Sequence, residues 1–412
     1  MRGEKMLTKQ LAFRLLALMI CITLTGWVDP FSTCCAQSEF QTESPTRANV
    51  APYSAVAAPE WDALFDRQTG WTGADGIYSI PISGDERPGT AGNTTTFWVF
   101  SDTFIGSVNT QNQRVEGSTI IRNTSALLTG GLPNPNQIQF LWKTSTTGAP
   151  LPRVVPTTSA AHWFWPNDGL VVNGRLYLFS LRMKPGGSGV FNFATDGISL
   201  LSDSVANLAD PFRTYTQVDT RLFQAASGAQ GELAFGMAVM PNTTTAGAPR
   251  PDGYLYVYGL RNDPGNKKLV VGRVKPDKIA QFSQYRFWNG RTWVTTFRSA
   301  APVASRLSSE FSVTPLADGR YLLVFQLDTL SNTVAVSYGS SPTGPWGPPI
   351  PIWTCPETTL TPNITTYNAK AHPHLSAPGE LLISYNVNTF SFAEHFANAD
   401  IYRPRFIRLP LP

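Results

Sequence analysis

Cysteine is nearly missing from the part of the chain that could use it. Of the four in this 412-residue sequence, Cys21, Cys34 and Cys35 fall within the first 36 residues, and only Cys355 remains beyond them. That excludes a disulfide framework, so stability must come from a large hydrophobic core, which a chain of this length can supply. Charge is also scarce: Asp, Glu, Lys and Arg make up 15 % of residues and the net charge is +4. Four basic and two acidic residues sit in the first 36, which leaves +2 for the remainder. Without a basic stripe, neither a nucleic-acid partner nor a membrane-surface role is expected. Long hydrophobic runs are absent too. The apolar run Leu15 to Val28 has 14 residues, short of the roughly 18–20 that cross a bilayer core, so no membrane span is expected. No Gly-x-Ser-x-Gly elbow, phosphate loop, His-Glu-x-x-His or paired-cysteine motif is present, which removes the chemistries those motifs carry.

What is present begins with a leader. Arg2, Lys5, Lys9 and Arg14 precede the apolar run, and Cys34-Cys35-Ala36 ends it with small side chains. This is the three-part pattern of a signal peptide over residues 1–36, with a mature start at Gln37 and an exported product, extracellular or periplasmic. A lipid on Cys34 or Cys35 is the rival, but Phe31 stands where a lipobox takes Leu. Residues 37–58, rich in Ser, Thr, Pro and Ala, read as a flexible leader. Residues 59–412 form one domain.

Within that domain no helical periodicity is sustained. Short β-branched and aromatic runs alternate with turn clusters, and the chain holds 33 Gly and 33 Pro, as in many-stranded all-β folds. Five segments repeat one pattern of strand, turn and aromatic-rich strand. They begin at Gly76, Gly169, Gly236, Phe311 and His374. A lone hairpin cannot bury its apolar face, so repeated hairpins imply units packed against one another. The expected architecture is an all-β, single five-bladed β-propeller.

The residues just before these repeats are Asp75, Asp168, Phe235, Glu310 and His372. If the innermost strand of each blade lines a central channel, Asp75, Asp168 and Glu310 converge at one mouth. Taken singly, an acid before a strand also caps backbone N–H groups; three at one repeat position suggest a site. Asp102, in Phe100-Ser101-Asp102, occupies a place where other repeats carry Leu, and either a structural bond or a site role would account for it. Asn368, Lys370 and His372 lie in the last repeat, Lys370 and His372 at the period-2 spacing that shares a strand face. Two histidines, His372 and His374, are too few for zinc, and no cofactor or metal is expected. Trp71, Trp163 and Trp165 lie near the acids and could stack on sugar rings.

The five repeats, three of them with an acid at the start, resemble the propeller furanosidases: arabinanases, invertases and levansucrases. Gly70-Trp71-Thr72-Gly73-Ala74-Asp75-Gly76, Phe100-Ser101-Asp102-Thr103-Phe104, Trp165-Pro166-Asn167-Asp168-Gly169, the Ser341 to Trp346 segment and Tyr367-Asn368-Ala369-Lys370 are similar to the secreted bacterial family that includes the mycobacterial endo-D-arabinanases. That resemblance implies a glycoside hydrolase acting on a furanose-containing polysaccharide of the arabinan or arabinogalactan kind; a monomer is expected. It implies Asp75 as general base, Glu310 as general acid and Asp168 as the carboxylate that tunes the acid. Blade three departs from the pattern, offering Phe235 and Gly236 without an acid, and a non-catalytic carbohydrate-binding or cell-surface propeller is the alternative.

Overall fold

Tyr321–Gln326, a strand of β-branched, aromatic and aliphatic residues, is buried along its whole length. Such a strand belongs between neighbours on both faces, and packed sheets supply them. The computed structural model describes residues 54–411 except 189, 190, 228 and 229; residues 1–36, read above as a signal peptide, and residues 37–53 of the segment read as a leader lie outside the described residues. No described helix is long and apolar enough to cross a membrane.

The architecture is all-β and propeller-like. Five sheets follow one another along the chain. The first runs from Tyr78–Pro81 to Ile138–Leu141, and the second from Trp163–Val172 to Thr216–Asp219. The third, with six strands, spans Phe223–Gln224 to Trp293–Val294, and the fourth runs from Phe311–Pro315 to Ile350–Thr354. The fifth contains Ile364–Ala371, Glu380–Thr389 and Arg405–Pro410. Each is antiparallel, and hairpin chemistry explains the connections. Val172 pairs with Arg175 across Asn173-Gly174, whose φ values of 49° and 72° are those the tight primed turn requires. Tyr78–Pro81, Trp163–Val172, Glu232–Asn242, Phe311–Pro315 and Ile364–Ala371 pack side by side in that order as the innermost strands. A smaller sheet, Thr69–Ala74 with Thr103–Ser107 and Thr119–Ile121, flanks the first.

The two ends of the array meet. Val56–Ala57 adds to the fifth sheet, with Val56 opposite Arg408 and Ala57 opposite Ile407. Ala55 and Ala58 are buried, so residues 55–58 belong to the folded body and not to the leader, a correction to the boundary read from composition. A strand donated from the start of the body to its last sheet covers an edge that would otherwise stay unpaired. Trp61, on the short helix Pro59–Leu64, packs beside Trp98 and Phe406 beneath this closure.

His372 is a second clasp, and not part of a ligand-binding wall. It follows the end of its strand, so the period-2 argument that put it beside Lys370 no longer applies. It is fully buried. Its Nδ1 bonds to Ser79 Oγ at 2.7 Å in the first sheet and its Nε2 to Ser384 Oγ at 2.8 Å in the fifth. Burial holds the imidazole well below its ordinary pKa, so it is neutral. His372→Ala is expected to cost about 2 to 4 kcal/mol, since it empties a packed site against Trp98 and strands two hydroxyls. Urea unfolding measures this, and a loss near zero would remove His372 from the closure.

Candidate active site

Asp75 sits in the turn between Thr69–Ala74 and Tyr78–Pro81. Gly76 makes that turn with φ of 64°, and a Cβ there would come within 2.6 Å of Ser101 Oγ. That close approach explains the Asp75-Gly76 pair. Ser101 N donates to Asp75 O at 2.8 Å and Asp75 N to Asp102 O at 3.3 Å, so backbone pairing sets the two carboxyls side by side. Asp102 is then held from the outside. Its Oδ1 accepts from Trp165 Nε1 at 3.0 Å, and its Oδ2 pairs with Arg122 at 3.3 Å. The Arg122 guanidinium lies over the Trp163 ring at 4.4 Å.

Glu310 precedes Phe311–Pro315. Its backbone N donates to Asn368 Oδ1 at 3.2 Å, and its Oε2 lies 2.6 Å from Lys370 Nζ. Asn368 has φ of 61°, a conformation Asn tolerates better than most residues, inside a register shift between Tyr367 and Lys370. This bulge turns Asn368 toward the cleft and leaves Lys370 buried against Glu310, with the Tyr78 ring 4.5 Å from the ammonium.

Asp75, Asp102, Trp165, Glu310 and Asn368 line one cleft of about 870 Å³. Asp168 does not. It lines a second cavity of about 420 Å³ further along the innermost strands, with Glu86, Ser79 and Pro373. The lining of the cleft thus joins Asp102 to Asp75 and Glu310 in place of Asp168, which still feels the charge of Lys370. The reason is another bulge: register shifts between Pro166 and Gly169, and it is Asn167 that meets the cleft. Asp168 spends both oxygens on backbone amides, Gly169 N at 2.8 Å and Val239 N at 2.7 Å. Trp71 is also elsewhere. It is buried, stacked on Phe140 at 4.7 Å, and serves the core.

Several cleft residues were not singled out from the sequence. Tyr367 donates its hydroxyl to Asp75 Oδ2 at 2.8 Å and accepts from Asn388 Nδ2 at 3.1 Å. Tyr402, His395, Glu232 and Lys267 also line the cleft, and Phe390 and Phe392 stand exposed at it, 49 % and 62 % accessible. An aromatic pair in Phe390-Ser391-Phe392 just past a strand was a readable signal. Nothing local marks Tyr402.

Electrostatics separates the carboxyls. Burial, then the neighbouring Asp102 and Glu310 carboxylates, pushes Asp75 up to about 8 against the opposing pull of the Tyr367 and Tyr402 hydroxyls. Asp102 is raised by burial, with Arg122 and Trp165 opposing. Burial lifts Asp168 to about 7 despite its two amide bonds. Among the described residues no group of three or more His, Cys, Asp or Glu is placed to hold a metal ion. The cleft thus presents a carboxyl that keeps its proton near neutral pH beside a carboxylate paired with a buried ammonium.

Residues 59–410 match a family described as a domain of unknown function, DUF5005. Notoamide biosynthesis cluster protein J of Aspergillus sp. (strain MF297-2) is 32 % identical over 100 residues, 24 % of this chain. The match covers 27 % of that protein. Among solved structures, a Bacteroides ovatus ATCC 8483 protein assigned provisionally as a hydrolase superposes with a TM-score of 0.66 at 20 % identity. The superposition covers 86 % of this chain and 90 % of that one, and it shows a shared fold. The exo-β-1,3-galactanase of Phanerochaete chrysosporium is more distant, with a TM-score of 0.41 at 11 % identity over 82 % of this chain and 61 % of its own.

Proposed function

This chain belongs to the DUF5005 family, and from the chemistry of its cleft we propose that it is a glycoside hydrolase. The observation that carries the reading is the unequal carboxyl pair: Asp75, pushed up to about 8, and Glu310, 2.6 Å from the Lys370 ammonium. Hydrolysis of a glycosidic bond needs one carboxyl that gives a proton to the leaving oxygen and one carboxylate that activates water or attacks the sugar. Asp75 fits the first task and Glu310 the second, the reverse of the roles the resemblance implies. In the reaction the Asp75 proton passes to the glycosidic oxygen as its bond to the anomeric carbon breaks. Water adds its oxygen to that carbon and its proton is accepted by Glu310. Exchange with solvent then restores both groups. Asp102, fixed by Trp165 and Arg122, keeps negative charge beside Asp75 and so helps to hold its proton on.

The substrate class we assign is a furanose-containing polysaccharide of the arabinan or arabinogalactan kind, met outside the cell after the leader is removed. Supporting it are a cleft of about 870 Å³, at the roomy end of ligand sites, and the exposed Phe390 and Phe392 rings, which offer stacking faces for sugars. We count the five larger sheets as five blades and take the protein to act as a monomer.

Incubation of the purified protein with arabinan, arabinogalactan and fructan is expected to release oligosaccharides. On the active glycan, kcat/KM should fall as pH rises through about 8, because the proton that Asp75 must donate is then lost. Binding without release on every glycan would instead make the cleft a non-catalytic carbohydrate site.

A further inference from the structure

Behind Asp75 the hydrogen bonds run in one direction only, and the starting point is a backbone amide. Asn388 is the last residue but one of the strand Glu380–Thr389, and its Oδ1 accepts from Thr389 N at 2.7 Å. Turning the amide over would set its NH₂ against that N–H, donor against donor, so its orientation is decided. The same Oδ1 faces His395 Nε2 at 2.8 Å, so Nε2 must carry a hydrogen. Burial holds the His395 imidazole down, to about 4, against the pull of the Phe392 carbonyl, so near neutral pH it has one proton; Nδ1 faces Phe392 O at 3.3 Å and Nε2 the Asn388 amide at 2.8 Å, and the shorter contact takes the proton onto Nε2. The ring is clamped between Phe104 and Tyr402, with centroids 5.5 and 5.3 Å away. Its charged neighbours are Arg114 and Glu394.

The other side of the Asn388 amide then points its Nδ2 hydrogens at the Tyr367 hydroxyl, 3.1 Å away. A hydroxyl that receives a donor turns its own hydrogen outward, here to Asp75 Oδ2 at 2.8 Å. An oxygen accepting such a bond is the carbonyl-like oxygen of a protonated carboxyl. The proton belongs on the other oxygen, Oδ1, which is buried; the Tyr402 hydroxyl is the remaining hydrogen-bonding group at this carboxyl. The titratable groups that face Asp75 are Asp102, Glu310, Tyr367 and Tyr402.

We propose that His395, Asn388 and Tyr367 form a directional relay of positioning residues that keeps the exchangeable proton of Asp75 on Oδ1. This rests on the hydrolase reading for its purpose but not for its test. Each member acts through the next, and none needs to touch substrate. The neutral imidazole sets the amide, the amide sets the hydroxyl, and the hydroxyl chooses the carboxyl oxygen. Through the same bonds the relay also limits how far burial can raise Asp75, since the Tyr367 hydroxyl favours the ionised carboxylate.

The test needs no substrate. His395 is one of only four histidines, and nitrogen NMR of the full protein should show it as the neutral Nε2–H tautomer. Infrared titration should show a protonated-carboxyl band that is missing in Asp75→Asn. In Tyr367→Phe the band should persist to a pH about one higher, the consequence of losing one bond to a charged acceptor. His395→Leu should move the band the same way by less, should add nothing in the Tyr367→Phe background, and should be rescued by His395→Gln. Asn388→Leu takes the place of His395→Leu if that variant does not fold. An Nδ1–H tautomer at His395, or a shift from His395→Leu that adds fully to that of Tyr367→Phe, overturns the relay. Failure of the glycan screen with these spectra as expected would overturn the hydrolase reading and leave the relay standing.

Discussion

Exchanging Asp75 for Asn, or Glu310 for Gln, is expected to lower turnover by roughly 100- to 10,000-fold, the range that positioned proton transfer contributes. Each exchange keeps the size of the side chain and a carbonyl oxygen, so Tyr367 can still donate to Asn at 75, while the ionisable proton is gone. Stability gives the second half of the prediction. A carboxyl whose folded pKa is raised from 3.8 to about 8 binds its proton more tightly in the folded chain than in the unfolded one. Its contribution is therefore fully present below the unfolded value and is lost as pH rises through the window from about 4 to 8. At pH 7 wild-type Asp75 has already lost most of that stabilisation relative to acid conditions, whereas Asn does not titrate. The Asp75→Asn protein should melt at pH 7 no lower than wild type while losing its activity. Loss of rate without loss of stability is what a catalytic acid shows. A capping residue shows the opposite, about 0.5 to 2 kcal/mol of destabilisation and intact turnover. Steady-state rates within about threefold of wild type for both exchanges would sink the acid–base assignment.

Lys370→Met is expected to be the most destabilising single change in the cleft, at about 3 to 5 kcal/mol. The Lys370 side chain is 1 % exposed and that of Glu310 12 %, so removing the ammonium leaves a largely desolvated carboxylate without its counter-charge. The cost lies in the orphaned partner more than in the lost attraction. The double exchange Lys370→Met with Glu310→Gln should accordingly recover most of the loss, because no charge is then left behind. Urea unfolding of the four proteins in this cycle measures the coupling. Equal destabilisation by the single and double exchanges would mean that the two side chains do not share an interaction. The Glu310 carboxylate is one of the groups that raise Asp75, so Lys370→Met, which alters the charge around it, should also alter the alkaline limb of activity that Asp75 sets.

The cleft shows how far local pattern reaches. Asp75, Asp102 and Glu310 were legible because each sits at the start or end of a repeated strand, and position in a repeat survives without knowledge of distant contacts; Trp165 and Asn368 were legible from the motifs that contain them. Asp168, His372 and Trp71 stand in similar contexts, yet the structure puts them in a second cavity, a closure and a core. Strand periodicity carries a side-chain direction only while the register is unbroken. The shifts between Pro166 and Gly169 and between Tyr367 and Lys370 add residues that no partner strand matches, and each extra residue reverses which face the next side chain meets. The bulges leave no mark in composition that would distinguish them from ordinary strand.

By itself the sequence determined the all-β character, the repeated hairpins and their turn chemistry, and the places where acids enter the innermost strands. These follow from alternation, turn residues and repetition, which act over a few residues. Only the tertiary structure decided which acids share a cleft, which of them holds a proton, and what stands behind it. Tyr367 reaches Asp75 from 292 residues away, and the raised pKa of Asp75 comes from burial and from carboxylates on other segments. Such interactions depend on distance through space and on the exclusion of water, and neither quantity exists until the sheets have packed.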